Sequence, residues 1–337
     1  MTTPTHAVLD LDMYKYQAAH VGEKKSIVVT HKTEGWSEPY KTRTDFWGHY
    51  KKKAGGALAD KNNKRDSPYL PDEFDIEDIQ TPEPIANVLH TVKSMVDGDL
   101  FESDAKSYEG YIGTGDSFRV ELSTLLKYKG NRDVENAPPK PLALDAVTEY
   151  LFKKYKAEEV TGIECDDKCV ISAYKDPTKF VIIEDKDYWN SAINVYDVNQ
   201  RHRGIVNCDK LGYLFLDDKK KVRGEGRIHM YYQILSEDTV DNYKANCFSD
   251  VPWASKGAYN ALKDCKTDKE CFQVMVDCFK VLYPDEYKTV KGWRGNDIAI
   301  DWYYVMQEMF WMAHMKRTET ESLIILSDVL DKLGVQY

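Results

Sequence analysis

The stretch His6-Ala7-Val8-Leu9-Asp10-Leu11-Asp12 decides the fold: a short apolar run, of a length suited to one buried strand, stops in acidic residues. Apolar runs around Tyr111 to Gly115, Val160 to Ile163 and Phe180 to Ile183 repeat the pattern, and each is followed at once by an acid. Helical patterns lie between them: Ile85, Leu89, Val92 and Val96 at helical spacing, then Leu142 to Tyr155, then Asp167 to Tyr174. Strands alternating with helices predict an α/β fold with a mostly parallel central sheet. In such sheets ligands bind at the carboxyl ends of the strands, which is where these acids fall.

Further along, segments such as Ser255 to Asp264, Lys269 to Leu282 and Asp301 to Met315 read as helices. The division expected is an α/β domain over 1–228 and a helical C-terminal subdomain over 229–337. Ala137-Pro138-Pro139-Lys140-Pro141 reads as a stiff connector ahead of a helix. Residues 23–80 form a charged and aromatic insertion. Lys32, Lys41, Arg43, Lys51, Lys52, Lys53, Lys61, Lys64 and Arg65 stand there among Trp36, Tyr40, Phe46, Trp47 and Tyr50. Such bases could neutralise phosphates while the rings stack on unpaired bases. The alternative is a solvated helical insertion whose rings pack on the main domain. The acids Asp72, Glu73, Asp75, Glu77 and Asp78 that follow read as a solvated turn.

The 337 residues suffice for a full core, and 42% hydrophobic with 30% charged residues fits the ordinary globular class. No run approaches the roughly 18 to 20 apolar residues that a membrane span needs, so no membrane association is expected. The N-terminal residues lack an apolar signal region, which predicts an intracellular, cytoplasmic protein. Seven cysteines without a CxxC pair argue against a disulfide framework or a zinc ribbon.

Five segments deliver acids at a predicted strand end or helix start: Asp10; Asp116; Glu164, Asp166 and Asp167; Asp185 and Asp187; Asp238 and Asp241. Convergence of so many carboxylates would push some to protonate unless cations balance them. Oxygen ligands of this kind suit two Mg²⁺ (or Mn²⁺) ions rather than zinc. A pair of such ions is a clamp for phosphodiester cleavage. No Walker-type glycine loop accompanies the acids, which argues against an ATPase or kinase. The formal charge of −10 becomes −1 once nine site carboxylates are set aside, which leaves room for local basic patches.

The segments AVLDLD, GDSFRVE, LLKYKGNRD, GIECDD, VIIEDKD and LSEDTVDN together resemble the 5'-nucleases. That family includes flap endonucleases, the 5'-nuclease domain of bacterial DNA polymerase I and bacteriophage 5'-to-3' exonucleases, the last being the branch most similar here. The resemblance implies a PIN-like fold and a 5'-to-3' exonuclease or flap endonuclease acting on DNA 5' ends, flaps or duplex, with RNA/DNA hybrids as a further substrate. It implies a viral replication or host-DNA degradation role, and then a place in the host cytoplasm. On the matching positions Asp10, Asp116, Glu164, Asp166, Asp167, Asp185, Asp187, Asp238 and Asp241 are the metal ligands, with Asp187 between the two ions. Lys129 and Arg132 match the basic residues that touch the scissile phosphate and steer the strand. Tyr128 is placed for base stacking, and Arg119 for a phosphate contact or for holding Asp116. Asp12 has no counterpart.

The chain departs from the family in four places. Cys165 replaces a small Ala, and Glu237 replaces a Gly. The stretch after Asn242 keeps only Gly257 of a glycine-rich helix-hairpin-helix, so Lys244 and Lys256 are the expected backbone contacts there. Between Lys129 and Leu142 the chain is too short for a long helical arch. The alternatives are a non-catalytic nucleic-acid-binding protein on the same fold and a ribonuclease acting on RNA or hybrids.

Overall fold

The computed structural model describes residues 3–49, 55–132, 139–321 and 323–337. In chain order it contains β1 (His6–Asp10), α1 (Leu11–Val21), β2 (Glu23–His31), β3 (Ser37–Tyr40), α2 (Arg43–Trp47), α3 (Ala57–Asn62), β4 (Phe74–Pro82) and α4 (Ile85–Glu102). Then come β5 (Ser107–Ser117), α5 (Phe118–Leu122), α6 (Leu144–Tyr155), β6 (Glu158–Gly162), α7 (Cys165–Ala173), β7 (Lys179–Ile183), β8 (Asn194–Asp197) and β9 (Ile205–Asn207). The remainder holds β10 (Tyr213–Leu216), β11 (Val222–Glu225), α8 (Arg227–Leu235), β12 (Glu237–Asp238), β13 (Tyr243–Lys244) and α9 (Ser255–Leu262). It ends with α10 (Asp268–Leu282), β14 (Lys288–Lys291), β15 (Asp297–Ile300), α11 (Trp302–Ala313) and α12 (Leu326–Leu333). Two compact units emerge: Met1–Met13 with Asp97–Ala137 and Lys154–Tyr337, and Tyr14–Val96 with Pro138–Lys153.

In the first unit a six-stranded sheet runs in the order β6-β5-β1-β7-β8-β9. It is mixed but mostly parallel; only the edge strand β9 is antiparallel, to β8. The α/β class expected from the strand–helix alternation is therefore observed. Ala7, Val8 and Leu9 of β1 and Phe180 to Ile183 of β7 are fully or almost fully buried, as central parallel strands covered on both faces must be. α7 packs its Cys169, Val170 and Ala173 face on this sheet. β8 and β9 carry no long apolar run, which is why the sequence did not announce them.

The same unit holds a larger core built from α8, α9, α10, α11 and α12, with Met275, Val276, Phe279, Val305 and Met306 at its centre. The three C-terminal helices read from the sequence are present as α9, α10 and α11. The short antiparallel pairs β12–β13 and β14–β15 between helices were not foreseen.

In the second unit the charged insertion is not a helical excursion. It is a three-stranded antiparallel sheet, order β3-β2-β4, with α2 and α3. The reason lies in β2, where Ile27, Val29 and His31 alternate as buried residues with partly exposed neighbours. The acidic run is only in part a turn: Asp72 and Glu73 lie in the helical turn Pro71–Glu73, whereas Asp75, Glu77 and Asp78 belong to β4, which pairs with β2 along its whole length. Its acids and their neighbours pair with four of the bases, Asp75 near Lys32, Asp78 on Arg43, Glu38 on Lys61 and Glu34 on Arg65. Trp36, Tyr40, Phe46, Tyr69 and Phe74 pack on one another instead of on a distant surface. Tyr50, Lys51, Lys52 and Lys53, like Ala137 and Pro138 of the connector, lie outside the described residues.

Each of the seven cysteines is a free thiol. Among the described residues no helix is long and apolar enough to cross a membrane.

Candidate functional site

The site lies wholly within the first unit, at the carboxyl ends of β1 and β7 and the start of α7. Asp10 ends β1, and Asp12 follows in the first turn of α1. The Asp12 backbone N–H donates to Asp10 Oδ1 at 3.1 Å, and Tyr188 Oη donates to Asp10 Oδ2 at 3.0 Å. Asp12 Oδ2 accepts from the Gly113 N–H at 3.1 Å, and a Cβ at Gly113 would come within 2.9 Å of that oxygen. A glycine in β5 thus makes room for a carboxylate from α1. Burial and the charge of Asp12 push the Asp10 carboxyl above the usual range. Asp10, Asp12 and Cys165 offer ligand atoms within 4.8 Å of one another, so Asp12, left outside the expected set, belongs to the cluster.

The start of α7 supplies Glu164, Asp166 and Asp167, whose ligand atoms likewise fall within 4.8 Å. Their environments differ. Asp166 is raised by burial and by repulsion from Glu164 and Asp167. Glu164 is held below its usual range despite burial, because Arg119 and Lys129 stand beside it. Asp167 is fully buried and receives four hydrogen bonds: two from the Arg119 guanidinium at 2.7 and 3.0 Å, one from the Glu164 N–H at 3.3 Å and one from the Lys316 N–H at 2.8 Å. A carboxylate has about four acceptor positions, and these four bonds make Asp167 a brace for Arg119 and the start of α7. Arg119 is 2% exposed and also donates to Glu164 Oε2 and to the His314 carbonyl. It holds Glu164 and Asp167, not Asp116, and its burial leaves no face for the expected phosphate contact.

After β7, Asp185 Oδ1 accepts from the Asp187 N–H at 2.9 Å and caps the turn Lys186–Asn190. Asp185 is exposed as a residue, yet loss of solvent around its carboxyl and the charge of Asp187 raise it to about 6. Gln233 at the end of α8 joins this pair to the last one: its Nε2 lies 3.1 Å from Asp187 Oδ1 and 3.0 Å from Asp238 Oδ2. Asp238 Oδ1 accepts from the Val240 and Asp241 N–H groups at 2.8 and 3.3 Å. Burial, with repulsion from Glu164 and Asp238, raises Asp241 against the pull of Lys129.

LLKYKGNRD is stitched to EDTVDN. Lys129 N–H donates to the Asp241 carbonyl at 2.9 Å, Asn242 Nδ2 to the Lys127 carbonyl at 2.9 Å, and Asn131 Nδ2 to the Thr239 carbonyl. Lys129 (φ 54) and Asn242 (φ 60) both adopt the left-handed region, a strain of order 1–3 kcal/mol each that these bonds over-determine. Lys129 Nζ contacts Glu164 Oε1 and lies 3.8 Å from Asp241; Arg132 lies 3.5 Å from Asp241 and is more exposed. Tyr128 departs from expectation. Its ring is 3% exposed and its Oη lies 2.9 Å from Glu164 Oε2 and 3.0 Å from Asp241 Oδ2, so it ties carboxylates together and offers no face to a base. Asp133 lies outside the described residues.

Asp116 is exposed near the end of β5 and belongs to neither of the two close ligand groups. Lys244, opposite Glu237 in the β12–β13 pair, and Lys256, in the first turn of α9, are both exposed. Sequence reading missed Tyr188, Gln233, Lys186 and Glu308. Gln233 stands five residues ahead of Asp238 and Lys186 lies inside the pair Asp185 and Asp187, so both were within reach of local inspection. Glu308 of α11 gave no such signal. It accepts from the Thr124 and Leu125 N–H groups at 3.0 and 2.9 Å and so anchors the segment leading to Lys129.

The chain matches no protein-family model. Nor does it match any curated protein.

Proposed function

We propose that the protein is a divalent-metal-dependent nuclease of the 5'-nuclease type, on a PIN-like fold, that hydrolyses DNA phosphodiesters at or near 5' ends. The observation that carries this reading is the meeting of acids from β1, the start of α7, the end of β7 and the α8–β13 segment, together with a strained lysine loop laid across them. The donor set suits a hard cation, because the ligands are nearly all carboxylate oxygens. Burial first and neighbouring carboxylates second hold Asp10, Asp166, Asp185 and Asp241 above their usual range, and a bound divalent cation would favour their charged forms. On this reading Asp10, Glu164 and Asp166 hold one ion and Asp187 with Asp238 and Asp185 the other, with Asp241 between. Two such ions supply water activation and charge balance in phosphodiester cleavage.

The chain's own groups do the rest. Arg119 and Asp167 fix Glu164 at the start of α7, Tyr188 orients Asp10, and Gln233 aligns Asp187 with Asp238. Lys129, held in place by the Asp241 carbonyl, presents an ammonium where charge builds on a phosphate. Arg132, more exposed beside it, steers the strand, and Lys244 and Lys256 contact the backbone.

The test is incubation with 5'-end-labelled single-strand, duplex, flap and hybrid substrates, with Mg²⁺ and with chelator. Short 5' products that vanish with chelator are expected, and Asp187→Ala should bind DNA at least as well as wild type while failing to cut it. Absence of cleavage on every substrate, or cleavage undiminished in Asp187→Ala, would end this reading.

A further inference from the structure

Lys186 separates Asp185 from Asp187 in the chain and folds back over the acids it divides. Its Nζ lies 3.2 Å from Asp187 Oδ1 and 3.8 Å from Asp238 Oδ2. Those two oxygens are the same two that receive Gln233 Nε2, at 3.1 and 3.0 Å. Gln233 is 4% exposed and approaches from the protein interior, whereas the Lys186 side chain is 49% exposed. The remaining Asp238 oxygen is taken by the Val240 and Asp241 N–H groups. The facing oxygens of this pair therefore already carry an ammonium from the chain itself. The other half is covered less completely: Arg119 and Lys129 pair with Glu164, but among the described residues neither Asp10 nor Asp166 makes an ion pair with a lysine or arginine.

An ammonium and a divalent ion cannot share two carboxylate oxygens a few ångströms apart, since both are cations and the carboxylates offer few lone pairs. Lysine suits the part of a displaceable occupant. It is a point charge on a flexible stem, without the fixed fork that would lock an arginine in place. Its exposure gives it somewhere to go.

We propose that Lys186 is a built-in counter-cation that competes with the divalent ion for the Asp187–Asp238 pair. This rests on the two-ion reading above. The pair accordingly takes its ion more weakly than the Asp10–Glu164–Asp166 half, and binding there frees Lys186 toward solvent and substrate. The protein without ions is spared the full repulsion of its acids, and only one half of the site requires metal to be settled.

The experiment is a titration of the full chain with Mn²⁺, reading free Mn²⁺ by electron paramagnetic resonance, on wild type, Lys186→Met and Lys186→Arg. Circular dichroism checks that each variant is folded. Two Mn²⁺ per chain with unequal affinities are expected for wild type. In Lys186→Met the weaker dissociation constant should fall about tenfold, the scale of one partly solvated charge removed, while the tighter one stays put. Lys186→Arg should remain near wild type. An unchanged weaker constant in Lys186→Met, or equal tightening in Lys186→Arg, overturns the role of Lys186 and leaves the two-ion reading standing. No Mn²⁺ bound by any of the three overturns both.

Discussion

Arg119→Ala tests whether that arginine is a brace or a DNA contact. Its guanidinium is buried with Asp167 and Glu164, makes three bonds to them and a fourth to the His314 carbonyl. Removing it strands a fully buried Asp167 carboxylate with only the Glu164 and Lys316 N–H groups as partners. Breaking a buried ion pair on one side costs about 3–5 kcal/mol. At about 2.1 cal/mol/K per residue a chain of 337 residues shifts its melting temperature roughly 1.4 °C per kcal/mol, so a fall of about 4–7 °C is expected. Urea and thermal unfolding followed by circular dichroism give the answer. Arg119→Lys keeps the charge but loses the fork, and should fall between. It should also leave the salt dependence of DNA binding unchanged, because a buried cation releases no counterion. A loss below about 1 kcal/mol, the scale of a solvated surface pair, together with a flattened salt slope, would refute the brace and restore the phosphate contact.

Lys129→Ala should slow single-turnover cleavage about a hundredfold, or roughly 3 kcal/mol, while weakening binding much less; a variant as fast as wild type would remove Lys129 from the chemistry. Burial and nearby Lys186 push His229 down to about 4 from an ordinary 6.5, so the unfolded chain takes up its proton first as the pH falls. Stability from this group is therefore complete above the unfolded value and is lost on the way down to the folded one, by up to roughly 3 kcal/mol. Asp185, raised to about 6, works in the opposite direction. The check is thus the difference between wild type and His229→Phe in urea midpoint at neutral and acidic pH, and an identical loss in both would dismiss it. Phe46→Ala, at a fully buried ring among Tyr40, Trp47 and Phe74, should cost about 3–5 kcal/mol within the second unit. Hydrogen exchange at Ile27 and Val29 would report it, and unchanged protection there would contradict the insertion having its own core.

The sequence made the central sheet legible because β1 and β7 are apolar runs followed by acids and β5 carries a shorter one, a signal local to each strand, whereas β6 (EEVTG) buries only Val160. It hid the insertion sheet because β2 opens on Glu23, Lys24 and Lys25 and β4 carries Asp75, Glu77 and Asp78, so that EKKSIVVTH and FDIEDIQTP read as charged stretches until they are paired. The acids of the site were visible one by one, but their roles depend on contacts across long separations. Asp167 reads like Asp166 in the chain, and only the arrival of Arg119 and the Lys316 N–H sets their surroundings apart. Tyr128 and Arg119 look like surface groups beside KGNRD, and burial under the C-terminal helices reverses that reading.

The central claim, that these carboxylates form a two-ion site, is tested most directly by a crystal structure grown with Mn²⁺ and examined for anomalous scattering. The account predicts two manganese peaks, one among Asp10, Glu164 and Asp166 and one at Asp187 and Asp238, with Lys186 swung away from that pair. Carboxylates that keep Lys129 and Lys186 in place, with no manganese peak among them at saturating Mn²⁺, would contradict it.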